Sequence, residues 1–163
     1  MRKGNQMPLV SVESDESELH VGWVINAPVV RAWEALTTSS HIGEWLGTVV
    51  SGSISSGSSF AIDHGDGYLC ESTVEKFEVL SALTYSWKFP DETGTDVAWS
   101  MAPHGDGTLL TLTHSGLADL VSSYRDGWPV HLTFLEGSAL GAPLPWSMFW
   151  QIHSTIVCLN APS

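Results

Sequence analysis

Leu19, Val21, Trp23 and Ile25 alternate with His20, Gly22, Val24 and Asn26, the period of a β-strand with one buried face. The stretch PVVRAWEALTT that follows changes period: Pro28 suits a first helical turn, and Val29, Trp33 and Leu36 recur at helical spacing. Ser39 or Ser40 can cap a second short helix carrying Ile42 and Trp45. Strand-like runs are then predicted at 46–54, 58–64, 68–80, 82–89, 95–102 and 107–115. In one of them Leu83, Tyr85, Trp87 and Phe89 share a face, with Thr84, Ser86 and Lys88 on the other, and Val97, Trp99 and Met101 repeat the pattern. The tetrapeptide HGDG occurs at His64–Gly67 and again at His104–Gly107, each time between strands, where Asp-Gly favours the positive φ of a tight turn. A calcium loop needs several alternating carboxylates, which neither copy has.

After Gly116 the period becomes helical again. Asp126 is read as the cap, Pro129 falls in the first turn, and Trp128, His131, Leu132, Leu135 and Ala139 form one face. Gly141, Pro143 and Pro145 end this helix, and Trp146–Leu159 reads as a short apolar helix packed on the outside or facing a partner. Strands that follow one another without intervening helices form an antiparallel sheet, here closed by the long C-terminal helix. Residues 1–16 lack periodicity and read as a flexible N-terminal arm, and 17–163 as a single domain with a core over 17–140 and an apolar extension over 145–159.

Composition narrows the partners. Eighteen acidic residues against six basic ones give a net charge of -12, which repels phosphate backbones and anionic lipid headgroups and argues against nucleic acid. The stretch from Phe134 to Val157 is apolar, but Glu136, Gly141, Pro143, Pro145, Gln151 and His153 interrupt it short of a membrane span. Arg2 and Lys3 precede a polar, acidic stretch rather than the apolar region of a secretion signal, and the two cysteines, Cys70 and Cys158, form no CxxC pair. Both features point to a cytoplasmic protein.

No cofactor or metal is expected. The seven histidines fall into no HxH or HExxH cluster, there is no GxSxG elbow, and no glycine-rich phosphate loop occurs. Cys70 sits inside a strand without an activating base in view, and Glu136 and Tyr124, beside the long helix, read as solvated.

The strings INAPVVRAWEALT (Ile25–Thr37), EWLG (Glu44–Gly47), GDGTLLTLTHSGL (Gly105–Leu117) and GWPVHLTFLEG (Gly127–Gly137) sample nearly the whole domain. In this order they resemble the SRPBCC superfamily, in the branch similar to the activator of Hsp90 ATPase. The resemblance implies an α+β helix-grip fold: a curved antiparallel sheet wrapped around a long C-terminal helix, with two short helices after strand one. It also implies a cavity between sheet and helix that in many relatives accepts lipids, sterols, polyketides or other apolar molecules. Pro129 and the apolar segment after Pro145 depart from the family's pattern.

Inward strand faces would bring Trp23, Tyr85, Trp87 and Trp99 toward Trp128, Leu132 and Leu135, a tryptophan-rich lining for a hydrophobic small-molecule ligand. His131, on or beside the inward stripe of the helix, and His114, at the end of the last strand, are the titratable candidates. Core packing, a hydrogen bond to a neighbouring strand, and fastening of the Ser115–Gly116 turn are the structural roles open to these residues. Three functions follow: a carrier, sensor or sequestering protein for an apolar molecule; a cyclase or aromatase using His131 or His114; and an interaction module whose C-terminal segment meets a protein partner or a second copy.

Overall fold

A computed structural model describes residues 7–162. Eight strands form one antiparallel sheet: β1 (Leu9–Ser14), β2 (Leu19–Ile25), β3 (Thr48–Gly52), β4 (Ser59–Asp63), β5 (Leu69–Glu78), β6 (Ala82–Trp87), β7 (Thr95–His104) and β8 (Gly107–Ser115). Their spatial order is β1-β2-β8-β7-β6-β5-β4-β3, so among the described residues the only long-range strand pairing joins β2 to β8 and the rest is a meander. Between β2 and β3 lie the two short helices, α1 (Val29–Thr37) and α2 (Ser39–Trp45). A single 3-10 turn at Ala118–Leu120 leads into α3 (Val121–Ala139), and α4 (Phe149–Asn160) follows a second such turn at Trp146–Met148. The sheet wraps one side of α3, which is the helix-grip arrangement.

Three expectations need correction. Residues 9–14 are not part of an arm: they pair with β2 as an edge strand, from Leu9 opposite Trp23 to Ser14 opposite Leu19. Backbone pairing holds this strand in place while its own side chains stay mostly exposed, so it carries little alternation to read. Residues 1–6 of the expected arm lie outside the described residues. The long helix begins at Val121, not at Asp126, whose carboxylate instead accepts a hydrogen bond from the Asn160 side chain (2.8 Å). Pro129 therefore lies in mid-helix, where it has no N–H to offer the Arg125 carbonyl. Burial tolerates this defect: Trp128, Pro129, Val130, Leu132, Phe134 and Leu135 are all buried.

Both HGDG repeats are turns. The second closes a two-residue hairpin between His104 and Gly107, with Gly105 at φ 58°, and the first joins β4 to β5 with Gly65, Asp66 and Gly67 all at positive φ. Where α2 hands over to β3, Gly47 is required by contact: a Cβ there would lie 2.5 Å from the Asp63 carbonyl oxygen.

The expected cavity between sheet and helix is largely filled. Trp45, Trp99, Trp128 and Tyr85 are fully buried at its centre. Trp99 meets Trp45 and Trp128 edge-to-face at 5.9 and 5.5 Å, and Tyr85 meets Phe60 likewise at 5.3 Å. Each contact of this kind adds roughly 0.5–1.5 kcal/mol beyond area burial, so the centre is a packed core. Open space survives toward one end of the grip.

Candidate functional site

At that end, where β6 runs out, a cavity of about 190 Å³ is lined by His64, Trp87, Phe89, Glu92, Ser123, Tyr124, Gly127, Trp128 and His131. Three segments build it. The β4–β5 turn delivers His64, the end of β6 and the loop to β7 deliver Trp87, Phe89 and Glu92, and the first half of α3 delivers the rest. Helical spacing explains the last set: residues 124, 127, 128 and 131 differ by three or four and share a face.

The walls are aromatic. Trp87 lies 5.3 Å from Trp128 and 5.7 Å from Phe89, and Tyr68 stacks on the far side of Phe89 at 4.3 Å with its ring nearly parallel. The His64 ring meets Trp87 and Phe89 edge-on at 5.6 and 4.9 Å, and lies 6.3 Å from the His131 ring.

Hydrogen bonding fixes this lining. The indole N–H of Trp87 donates to the Tyr124 hydroxyl (2.9 Å), which donates in turn to Oε1 of Glu92 (2.6 Å). This chain ties the β6–β7 loop to α3. His131 Nδ1 lies 2.9 Å from the Trp45 carbonyl oxygen; a carbonyl only accepts, so Nδ1 carries the proton and Nε2 is left as an acceptor. Behind the wall, the Trp128 indole donates to Nδ1 of His114 (3.0 Å). The His114 proton must then sit on Nε2, which donates to Thr95 Oγ1 (2.8 Å), and Thr95 donates to the Trp87 carbonyl (3.2 Å). One buried polar atom has no partner among the described residues: Nε2 of His64.

Burial dominates the titration of the imidazoles. It pushes His64 down to about 3, with the neighbouring His131 acting the same way and Asp63 opposing. His114 is held at about 3 by burial. His131 is lowered to about 4 by burial, against the favourable Trp45 carbonyl and with His153 lowering it further. At neutral pH the cavity thus faces uncharged imidazoles. The Tyr124 hydroxyl is shifted upward by burial and by its bond to Glu92, so it keeps its proton.

Of the nine residues singled out from the sequence, Trp87, Trp128 and His131 line this cavity. Trp23, Tyr85, Trp99, Leu132 and Leu135 lie in the core, where Trp23 donates to Glu136 (2.9 Å) and Trp99 to the Tyr85 hydroxyl (2.9 Å). Glu136 is thus bonded across to β2, and Tyr124 belongs to the cavity wall rather than to solvent. His114 is buried behind Trp128, bridging it to Thr95, and its ring makes no bond to the Ser115–Gly116 turn. The lining residues His64, Phe89, Glu92, Ser123 and Gly127 were not among the nine. His64 had been visible only as the first residue of a turn motif.

A second polar cluster joins α2 to α3: Ser138 Oγ donates to Glu44 (2.9 Å), and His41 Nδ1 approaches the same carboxylate oxygen at 2.9 Å and Ser138 at 3.3 Å. A nucleophilic relay needs the acid and the hydroxyl on opposite imidazole nitrogens; here both meet Nδ1, and Ser138 is buried. The cluster fastens two helices. Among the described residues, no group of His, Cys, Asp and Glu side chains is arranged to hold a metal ion, and no helix is long and apolar enough to cross a membrane.

The fold and its site define a helix-grip domain with a residual aromatic cavity. The family described as activator of Hsp90 ATPase homolog 1-like protein matches residues 26–139, and the chain belongs to that family. Among solved structures, the crystal structure of CalU16 from Micromonospora echinospora is 26% identical, with a TM-score of 0.70 over 85% of this chain and 83% of that one. DynU16, described as a putative protein in the dynemicin biosynthetic locus, is 25% identical with a TM-score of 0.72, over 80% of this chain but 49% of its own. A protein from Arthrobacter aurescens shares the fold at 15% identity and a TM-score of 0.68, over 81% of this chain and 92% of that one. Among curated proteins none matches significantly.

Proposed function

We propose that the protein binds a compact, ring-containing small molecule in the cavity between the end of β6 and the first half of α3, as a carrier, sensor or sequestering protein. The observation that carries this reading is an aromatic-walled space of about 190 Å³ whose lining includes His64, a side chain with a buried Nε2 that has no hydrogen-bond partner among the described residues. Its size selects the ligand. Drug-sized ligands occupy cavities of about 300–1,000 Å³, while a void of ~150 Å³ can hold benzene. The space here suits one or two rings, not a sterol, a lipid chain or a folded polyketide. The setting of DynU16 in a biosynthetic locus supports a small-molecule ligand for this chain.

Titration with indole or 2-naphthol, followed by indole N–H resonances in NMR, tests the reading. Saturable shifts of the Trp87 and Trp128 signals are expected. Shifts scattered over exposed tryptophans such as Trp146 and Trp150, without saturation, would refute it.

A second reading, self-association through α4, rests on an observation of its own. The outer face of that helix leaves Trp150 70% and, two turns on, Val157 39% exposed. The helix contains no Asp, Glu, Lys or Arg, so two copies could meet there without opposing like charges. Sedimentation of the chain and of a Trp150→Glu variant distinguishes a dimer that the substitution dissociates from a monomer it leaves unchanged.

A further inference from the structure

We propose that the ligand is a small organic cation, an ammonium group carried on a one- or two-ring aromatic body. The inference rests on the cavity reading above and adds the charge of the occupant. It starts from which polar atoms remain available. Every donor fixed in the wall is already committed: Trp87 N–H to Tyr124, Tyr124 O–H to Glu92, Trp128 N–H to His114, and His131 Nδ1–H to the Trp45 carbonyl. What remains is the second carboxylate oxygen of Glu92 and Nε2 of His131, both acceptors, while His64 and the Ser123 hydroxyl can serve in either direction. A ligand that brings donors satisfies this set, and one that brings only acceptors leaves it unpaired.

Charge points the same way. The ion pairs among the described residues involve Glu18, Glu34, Glu44 and Glu78, so among those residues no Lys or Arg lies within 4.0 Å of the Glu92 carboxylate. The nearest cation on the adjoining strand, Lys88, turns its ammonium to the carbonyl oxygens of Phe89 and Glu92 (3.3 and 3.0 Å) and lines other clefts. Asp63 and Asp91 add negative charge beside His64 and Tyr68. Trp87, Phe89, Tyr124 and Trp128 supply four aromatic rings to the lining, the side-chain class that attracts cations, and the whole chain carries a net charge of -12. Aromatic walls with one carboxylate that has no cationic partner among the described residues are the chemistry that recognises ammonium groups.

An isosteric series tests the charge separately from the cavity: phenethylammonium, 2-phenylethanol and phenylacetate, titrated calorimetrically into the full chain at pH 7. Phenethylammonium should bind roughly tenfold or more tighter than 2-phenylethanol, with phenylacetate weakest. Glu92→Gln should remove most of that preference, read as the ratio of the phenethylammonium and 2-phenylethanol affinities of the variant. Gly127→Leu, which fills the cavity mouth, should abolish binding of the ammonium compound. Equal affinities across the series, a preference for the alcohol or the carboxylate, or ammonium binding that survives Gly127→Leu would overturn the proposal. Loss of all three together with indole would instead defeat the cavity reading on which it rests. The comparison among the three compounds uses the unaltered chain, so it decides the matter even where a variant folds poorly.

Discussion

Gly127 offers the sharpest test of the cavity, because helix energetics and ligand binding predict opposite consequences of the same change. It lies inside α3, where glycine is about 0.8–1.0 kcal/mol less favourable than alanine. Gly137 in the same helix has a packing reason: a Cβ there would lie 3.0 Å from the Ala142 carbonyl oxygen. Gly127 has none, since a Cβ built on it meets nothing within 4 Å. Its backbone φ is not positive either, so no conformational need excludes a side chain. What its missing side chain does provide is open space between Tyr124 and Trp128 at the cavity wall.

Gly127→Ala should therefore stabilise the fold by about 1 kcal/mol, raising Tm by roughly 2–4 °C for a chain of this size. Gly127→Leu should keep that gain and lose the ligand, because its side chain occupies the space a ring would take. Thermal unfolding, paired with the indole titration, reads both quantities on the same samples. Destabilisation by alanine would mean that the helix face is closely packed and the cavity absent. A stable leucine variant that still binds indole at Trp87 and Trp128 would place the ligand elsewhere.

Three further outcomes follow from the polar network and the outer helix. The folded-state values of His64, His114 and His131, at about 3, 3 and 4, lie below the ordinary 6.5, so the unfolded chain binds more protons in between. Stability is then fully present above about pH 6.5 and falls as acid carries the pH down toward the folded values, with up to about three protons taken up on unfolding; urea midpoints that stay flat from pH 7 to 4 would contradict this. His114→Ala leaves the Trp128 indole without its acceptor in a fully buried site and opens a void, which should cost about 3 kcal/mol or more in chemical unfolding, and a loss under 1 kcal/mol would show the Trp128–His114–Thr95 chain to be dispensable. Ending the chain at Pro145 uncovers Phe134, which Trp146 and Phe149 cover at 5.2 and 5.5 Å, and should destabilise by at least ~2 kcal/mol; an unchanged Tm would mean α4 contributes nothing to the fold.

The parts of the fold that announce themselves in the sequence are those whose two faces differ. β6 and β7 bury every second residue, and Leu83, Tyr85, Trp87, Val97, Trp99 and Met101 were legible for that reason. β1 was not, because an edge strand with most of its side chains exposed is defined by backbone pairing, which leaves no alternation. The start of α3 was misplaced for a different cause. Asp126 and Pro129 resemble a helix beginning, yet they are the sixth and ninth residues of a 19-residue helix held in place by packing against the sheet and α4. The site divides along the same line: Trp87, Trp128 and His131 belong to periodic elements, whereas His64, Phe89 and Glu92 lie in a turn and a loop. Only the closure of the sheet brings His64 to within 6.3 Å of His131.

The same bonds bear on whether the cavity could run proton-transfer chemistry. A general base works best with a pKa near the operating pH, and the two imidazoles facing the cavity are held at about 3 and 4. Raising either toward neutrality would need a facing carboxylate strong enough to outweigh burial. Asp63 already acts on His64 in that direction and is outweighed by burial together with His131. Tyr124 could serve as an acid only by giving up a proton that burial and Glu92 both hold in place. A cyclase mechanism through His131 would further require the imidazole to reorient away from the Trp45 carbonyl or to work as a very weak base through Nε2 alone. His114, the other residue the sequence suggested for this role, lies behind Trp128 with both nitrogens bonded. The lining is arranged to keep its protons where they are, which supports the proposed binding role against the cyclase mechanism through His131 or His114.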